Sequence, residues 1–172
     1  MDSGAHEIDV VVNVGKVRSG EWAYVRGELE GVNAAVVERG GVVKVIFEND
    51  FLGQEEIAEL ARVCGEVGVG WVKTSTGFGF VKMGEGVGAY GYRGARGRDI
   101  KVMRENCGAA RIKAAGGVRT LDEMLWVMML GAERVGATAT EEILEEARRR
   151  GVGDEMAECE FVVPEREREE GV

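Results

Sequence analysis

The sequence predicts an α/β fold of about five parallel βα units, curled as part of a (β/α)8 barrel and followed by a charged tail. Three observations predict it. Short β-branched runs alternate with segments whose apolar residues recur at helical spacing. That alternation implies parallel strands joined by crossover helices. Four of the strands then carry ionisable groups on one face only, whereas a parallel sheet covered by helices on both sides is apolar on both. A barrel wall, apolar outside and polar inside toward a site at its C-terminal mouth, fits that pattern better than an open doubly wound sheet.

The elements follow in order. EIDVVVN (7–13) is short and β-branched, with Glu7, Asp9, Val11 and Asn13 on one face and Ile8, Val10 and Val12 on the other. Residues 19–39 read as one helix opened by Ser19 as N-cap. GVVKVIFE (41–48) is a second strand, with Val42, Lys44, Ile46 and Glu48 opposite Val43, Val45 and Phe47. The helix over 53–68 spaces Ile57, Leu60, Ala61, Cys64 and Val67 along one side. In the third strand, GWVKTS (70–75), Lys73 shares its face with Trp71 and Ser75 while Val72 points away. A glycine-rich loop runs from 77 to 97 with Phe78, Phe80, Tyr90 and Tyr92 between the glycines, and reads equally as a lid or as a mobile insertion. RDIKVMREN (98–106) is a helix, and ARIKAA (110–115) a strand that sets Lys113 and Arg111 opposite Ile112. TLDEMLWVMMLGA (120–132) is a helix with a capping box from Thr120 to Glu123. ERVGA (133–137) is the last strand and TEEILEEARRR (140–150) the last helix of a domain spanning 1–150. The tail, 151–172, is dominated by charge and is expected to fray.

Composition narrows the function classes. The chain of 172 residues is long enough for one domain with a core. A net charge of −9, from 22 basic and 31 acidic residues, argues against a nucleic-acid binder. The sequence holds no apolar run of membrane-spanning length and no signal-peptide pattern at its start. Cys64, Cys107 and Cys159 are far apart and read as reduced thiols of a cytoplasmic protein. With one histidine, His6, and no CxxC pair, no metal site is expected.

Two constellations carry chemistry. Lys73, within an otherwise apolar run, and Lys113 stand on consecutive strands of this reading, so their side chains can be neighbours. An amine attacks a carbonyl only as the free base, and a second cation or desolvation favours that form. Asp9, two strands before Lys73, is placed to move protons or order a water. The same residues also read as solvated strand ends or as partners of carboxylates. The second constellation is AAGGVRT (114–120) with VGATATEE (135–142), each running from a strand through small residues into a helix N-terminus. Main-chain N–H groups there make an anion cradle from Gly116, Gly117, Gly136 and Thr138. Tight turns alone would explain the glycines as well.

Taken together, EIDVVVNVG, VVKVIFE, VKTSTGF, IKAAGGVRT and RVGATATEEILEEA, in this order, resemble the deoxyribose-phosphate aldolases, class I Schiff-base aldolases built on a TIM barrel. The likeness runs from about residue 4 to 150. It implies reversible cleavage of 2-deoxy-D-ribose 5-phosphate to acetaldehyde and D-glyceraldehyde 3-phosphate, with no metal or organic cofactor. It implies Lys73 as the Schiff-base lysine, Lys113 as the second lysine that tunes it, and Asp9 as the proton-relay carboxylate. Gly116, Gly117, Gly136 and Thr138 match the family's phosphate loops, and Phe78 stands where some members carry a basic residue. On this resemblance the chain opens just before the fourth barrel strand, so that Asp9, Lys44, Lys73, Lys113 and Arg134 mark strands four to eight. Five strands do not close. The strands of Asp9 and Arg134 become open edges, and Val11, Val42 and Ile46 lose partners across the barrel. Self-association, or a partner supplying strands, is then expected. The reading from another class is an impaired barrel fragment that binds sugar phosphate or serves as an interaction module.

Overall fold

The computed structural model describes residues 1–83, 89–153, 155 and 158–169. The chain begins with β1 (Glu7–Val11), α1 (Val14–Arg18) and α2 (Trp22–Val37), followed by β2 (Val42–Ile46), α3 (Gln54–Val67) and β3 (Trp71–Lys73). A short excursion, β4 (Val81–Lys82) and β5 (Tyr90–Gly91), precedes α4 (Gly97–Asn106), β6 (Arg111–Ala115), α5 (Leu121–Met129), β7 (Ala132–Gly136), α6 (Thr140–Arg149) and α7 (Glu165–Glu169). The main sheet has the order β1-β2-β3-β6-β7 and is parallel throughout, while β4 and β5 pair antiparallel on their own.

Register places the inner-face residues side by side. Asp9 is level with Lys44, Ile46 with Lys73, Lys73 with Lys113, and Lys113 with Arg134. The opposite face is the core: Val43, Val45, Val72, Ile112 and Ala114 pack against Leu29, Ile57, Leu60, Ile100, Met103, Leu121 and Ile143 from the helices. At about 25 cal/mol per Å² of apolar surface, this outer layer is the main stabilising term. The sheet is strongly curled. Although β1 and β7 are its two edges, Arg134 Nη1 donates to Glu7 Oε2 at 2.6 Å across the inner face.

Several expectations need correction. The helix expected over 19–39 is α2, shorter at both ends: Ser19 is instead the C-cap of α1, its N–H donating to Gly15 O, and Gly20 at φ +68° turns the chain before α2 begins at Trp22. Glycine takes that left-handed conformation without the Cβ clash another residue meets. Glu21, not Ser19, is the N-cap of α2. Ile46 is buried at 4%, while Val11 and Val42 are exposed at 46% and 37%. The loop 77–97 is not structureless, since it holds the β4–β5 pair; residues 84–88 lie outside the described part. The tail does not simply fray: Phe161 packs on Trp126 and the Glu167 carboxylate is buried. Residues 154, 156, 157 and 170–172 of the tail lie outside the described part. The capping box at Thr120 and Glu123 forms as expected. No helix among the described residues is long and apolar enough to cross a membrane.

Candidate active site

The inner face is a row of alternating charges. Glu7 Oε2 accepts from Arg134 at 2.6 Å and from Lys44 Nζ at 2.9 Å. Lys44 Nζ also donates to Asp9 Oδ1 at 2.8 Å, and the other oxygen, Oδ2, accepts from Lys73 Nζ at 2.9 Å. The Arg134 guanidinium lies 4.3 Å from the centre of the Trp71 ring, which floors the row. Buried charge is tolerated only when paired, and this alternation supplies the pairing.

Ionisation follows the geometry. The Arg134 and Lys44 hydrogen bonds hold Glu7 down at about 2. Burial pushes Asp9 up, but the hydrogen bonds from Lys44 and Lys73 outweigh it and keep the carboxyl below its ordinary value. Burial opposes the charge on Lys44, yet Asp9 and Glu7 raise its proton affinity above that of an ordinary lysine. Lys113 goes the other way: burial first, then the positive charge of Lys73, lower its proton affinity. Lys113 makes no ion pair among the described residues. The curled face therefore holds one amine paired to a carboxylate, Lys73, beside one amine biased toward its free base.

Above the lysines, at the C-terminal ends of the strands, opens a cavity of about 450 Å³. Lys73, Lys113, Gly116, Gly117, Gly136 and Thr138 all line it. Asp9 does not; it reaches the cavity's chemistry only through its hydrogen bond from Lys73 Nζ. Gly116 and Gly117 follow one another at φ +90° and +75°, left-handed backbone that glycine adopts without a Cβ clash, just before α5. Gly136 has a different reason to be small, because a Cβ there would stand 3.3 Å from Lys113 Cε. Arg119 adds a cation to the wall, and Phe78 and Tyr92 an aromatic side.

No family model matches the chain. A deoxyribose-phosphate aldolase from Rhodopirellula baltica is 43% identical over 150 residues, 87% of this chain and 57% of that one. Another from Thermococcus gammatolerans is 36% identical over 149 residues, 86% of this chain and 61% of its own. This chain is a homologue of the deoxyribose-phosphate aldolases. It spans about three fifths of the length of these curated relatives. Among solved structures, an aldolase designated QR15 superposes with a TM-score of 0.73 at 30% identity, over 88% of this chain and 62% of that one. A Coccidioides immitis protein described as a candidate deoxyribose-phosphate aldolase superposes with a TM-score of 0.72 at 30% identity, over 86% of this chain and 55% of its own.

Three supports of this site were missed in the sequence. Lys44 clamps Asp9 from behind, and its signal, a lysine inside an apolar strand, was the same one that drew attention to Lys73. Thr74 and Ser75 are buried: Thr74 Oγ1 donates to Ala115 O at 2.8 Å and accepts from Ala115 N at 2.9 Å, and Ser75 Oγ donates to Ala115 O at 2.5 Å. These bonds fix the end of β3 to the end of β6, and so fix Lys73 relative to Gly116. Glu48, the third, takes the hydroxyl of Thr76 at 2.6 Å, and Thr76 Oγ1 accepts from Phe78 N at 3.0 Å. Nothing local in the sequence distinguishes Glu48 from a solvated strand end.

Proposed function

We propose that this chain carries out the deoxyribose-phosphate aldolase reaction, reversible cleavage of 2-deoxy-D-ribose 5-phosphate to acetaldehyde and D-glyceraldehyde 3-phosphate. The observation that supports it most is the pair Lys73 and Lys113, level on adjacent strands of one curled face, under a cavity rimmed by Gly116 and Gly117. In this reading the five parallel strands correspond to strands four to eight of a (β/α)8 barrel. Lys73 gives its proton up toward Asp9 and attacks the sugar aldehyde carbon; water leaves and an imine forms. Removal of the proton from the hydroxyl two carbons away breaks the intervening carbon–carbon bond, and the electron pair passes into the imine as an enamine. The phosphorylated aldehyde departs, a proton returns to the enamine carbon, and water releases acetaldehyde. Lys113, biased toward the free base, is suited to take and return protons in these steps. Main-chain N–H groups at Gly116, Gly117 and Gly136, with Thr138, would hold the phosphate. The chemistry needs no metal or organic cofactor. A net charge of −9 argues against nucleic acid as a partner, and reduced thiols suit a cytoplasmic setting.

Borohydride trapping with acetaldehyde tests the reading. Reduction of the imine should leave a stable adduct on Lys73, located by peptide mass spectrometry. Lys73→Arg should lose the adduct and at least about a hundredfold in rate. An adduct on Lys113 would exchange the two lysines' roles. A second reading rests on the unpaired edges of β1 and β7 and on the fraction of the relatives that the chain spans. In it the chain binds sugar phosphate without turning it over, and self-associates through those edges. Binding with no adduct at any pH would establish it.

A further inference from the structure

We propose that the C-terminal segment is a latch in which Glu167 positions the Gly116–Gly117 loop from behind. The inference deepens the phosphate-cradle reading and depends on it only for the identity of the ligand.

Glu167 is 1% exposed, although it stands in a run of charge. Removing a carboxylate from water is costly unless protein donors replace the solvent. Its Oε2 accepts from Gly97 N at 2.9 Å, at the first residue of α4. A helix start offers both a free N–H and the positive end of its dipole. The position is built to admit the carboxylate. A Cβ on Gly97 would stand 2.6 Å from Glu167 Oε2, 2.9 Å from Leu130 Cδ1 and 3.0 Å from Trp126 Nε1, so any larger residue would have to displace the carboxylate. Phe161, from the same C-terminal segment, packs on the other side against Trp126, with ring centres 6.5 Å apart. The tail is thus held at an apolar contact and at a charged one.

What the latch holds is the strip from Tyr92 to Gly97. At one end Tyr92 lines the cavity. Asp50 Oδ2 accepts from Arg93 N at 2.7 Å and from Gly94 N at 3.1 Å. Gly94, at φ +73°, passes so close to Gly116 that a Cβ on it would collide with the Gly116 carbonyl. Ala95 N then donates to Gly116 O at 2.9 Å. The Ala95 N–H bond to Gly116 O fixes the plane of the peptide that also carries the Gly117 N–H, between two residues that line the cavity. Two residues past Ala95 the strip ends at Gly97, on the Glu167 carboxylate. With the latch released, the strip keeps the Asp50 anchor and the buried Arg96–Asp99 pair but loses its bond at Gly97, and the Gly116 peptide gains freedom to rotate. Glu167 is therefore a positioning residue for an anion at Gly116–Gly117, acting through the main chain from Gly97 to Ala95.

The test compares the full chain with Glu167→Ala, Glu167→Gln and Glu167→Asp by amide-resolved NMR, with inorganic phosphate as the probe. Glu167→Ala should speed exchange of the Gly97 and Ala95 amides about tenfold, leaving the central strands unchanged. It should shift the Gly116 and Gly117 amides before any ligand is added, and weaken phosphate about fivefold. Glu167→Gln keeps an oxygen for Gly97 N–H and should restore all three readouts. Glu167→Asp keeps the charge but withdraws the oxygen by one methylene; it should behave like Ala, and it serves if the Ala variant fails to fold. Unchanged Ala95 exchange and Gly116 shifts in a variant whose Gly97 amide is released would overturn the latch, as would uniform acceleration across the sheet. If the unaltered chain shows no phosphate response at Gly116 and Gly117, the cradle reading fails, and the ligand-free exchange and shifts still decide the latch.

Discussion

At the scale of single residues, the inner face is decided by which charges have partners. Lys44 is the hinge of the row: its side chain is 3% exposed and it serves Glu7 and Asp9 together. Lys44→Met would leave two carboxylates close together with only Arg134 and Lys73 to balance them. Because both carboxylates are partly solvated, the cost should be about 2 kcal/mol, below the range for a fully buried pair; chemical denaturation at neutral pH measures it. A stability unchanged in Lys44→Met would mean that water already balances the row. The pH dependence has a definite sign. Glu7 falls from an ordinary 4.5 to about 2 on folding, so the folded state holds fewer protons than the unfolded one between those values. The stability it contributes is fully present above pH 4.5 and is lost as the pH falls through about 2. Glu7→Gln should flatten the stability profile across that window and leave the slope above it alone. Lys113 gives a slope of the same sign in a higher window: its lowered proton affinity penalises the folded state while the amine is charged, and that penalty is relieved as the pH rises toward the ordinary lysine value.

At the scale of elements, the junctions carry the strain. Glu48 closes β2 at φ +59°, the only non-glycine in the left-handed region among the described residues. That conformation costs about 1–2 kcal/mol, and three contacts from its carboxylate to Thr76 N and Oγ1 offset it. Glu48→Ala loses the contacts and keeps the strain, and should destabilise by about 2 kcal/mol. Glu48→Gly loses the same contacts without the strain, and should be about 1 kcal/mol more stable than the Ala variant. Equal urea midpoints for the two would show that the backbone there is relaxed. The same junctions explain what could be read from the sequence. Strand faces were legible because period-two alternation is a property of consecutive letters: Ile8, Val10 and Val12 against Glu7 and Asp9. Lys73, Lys113, Gly116 and Gly136 were found from local cues, a lysine in an apolar strand and glycines between strand and helix. Helix α1 was hidden, because Val14–Arg18 is too short to show helical spacing, and the start of α2 was set too early because Ser19 followed by Gly20 suits the end of one helix as well as the start of the next. Glu48 and Glu167 were not legible at all. Their roles depend on Thr76 and Gly97, which are brought to them only by the fold.

For the whole molecule, the open question is what covers the two ends of the sheet. Val42 N donates to His6 O and Val12 N to Ile46 O, so the even-numbered residues of β1 face β2. Alternation along a strand then turns the main-chain N–H groups of Glu7, Asp9 and Val11 outward, with no strand beside them among the described residues. The edge at β7 adjoins a groove of about 390 Å³ lined by Met124, Met128, Val135, Ile143 and Leu144. Unpaired ladder groups beside exposed apolar side chains favour edge-to-edge pairing. The chain should therefore associate in a concentration-dependent way, visible by sedimentation velocity. The charge row opposes a full collapse of the curl, because Arg134 and Glu7 already bridge the inner face, so association should proceed at the edges and leave the cavity open. Val11→Pro removes one outward N–H, spares the ladder to β2, and is a substitution that edge strands tolerate. It should weaken association about tenfold, the equivalent of about 1.4 kcal/mol, while leaving the midpoint of the dilute chain little changed. Association unaltered in Val11→Pro and abolished by Met128→Lys would move the contact from the β1 edge to the groove beside β7. Loss of folding in Val11→Pro at every concentration would show that the end of β1 is held by more than its bonds to β2.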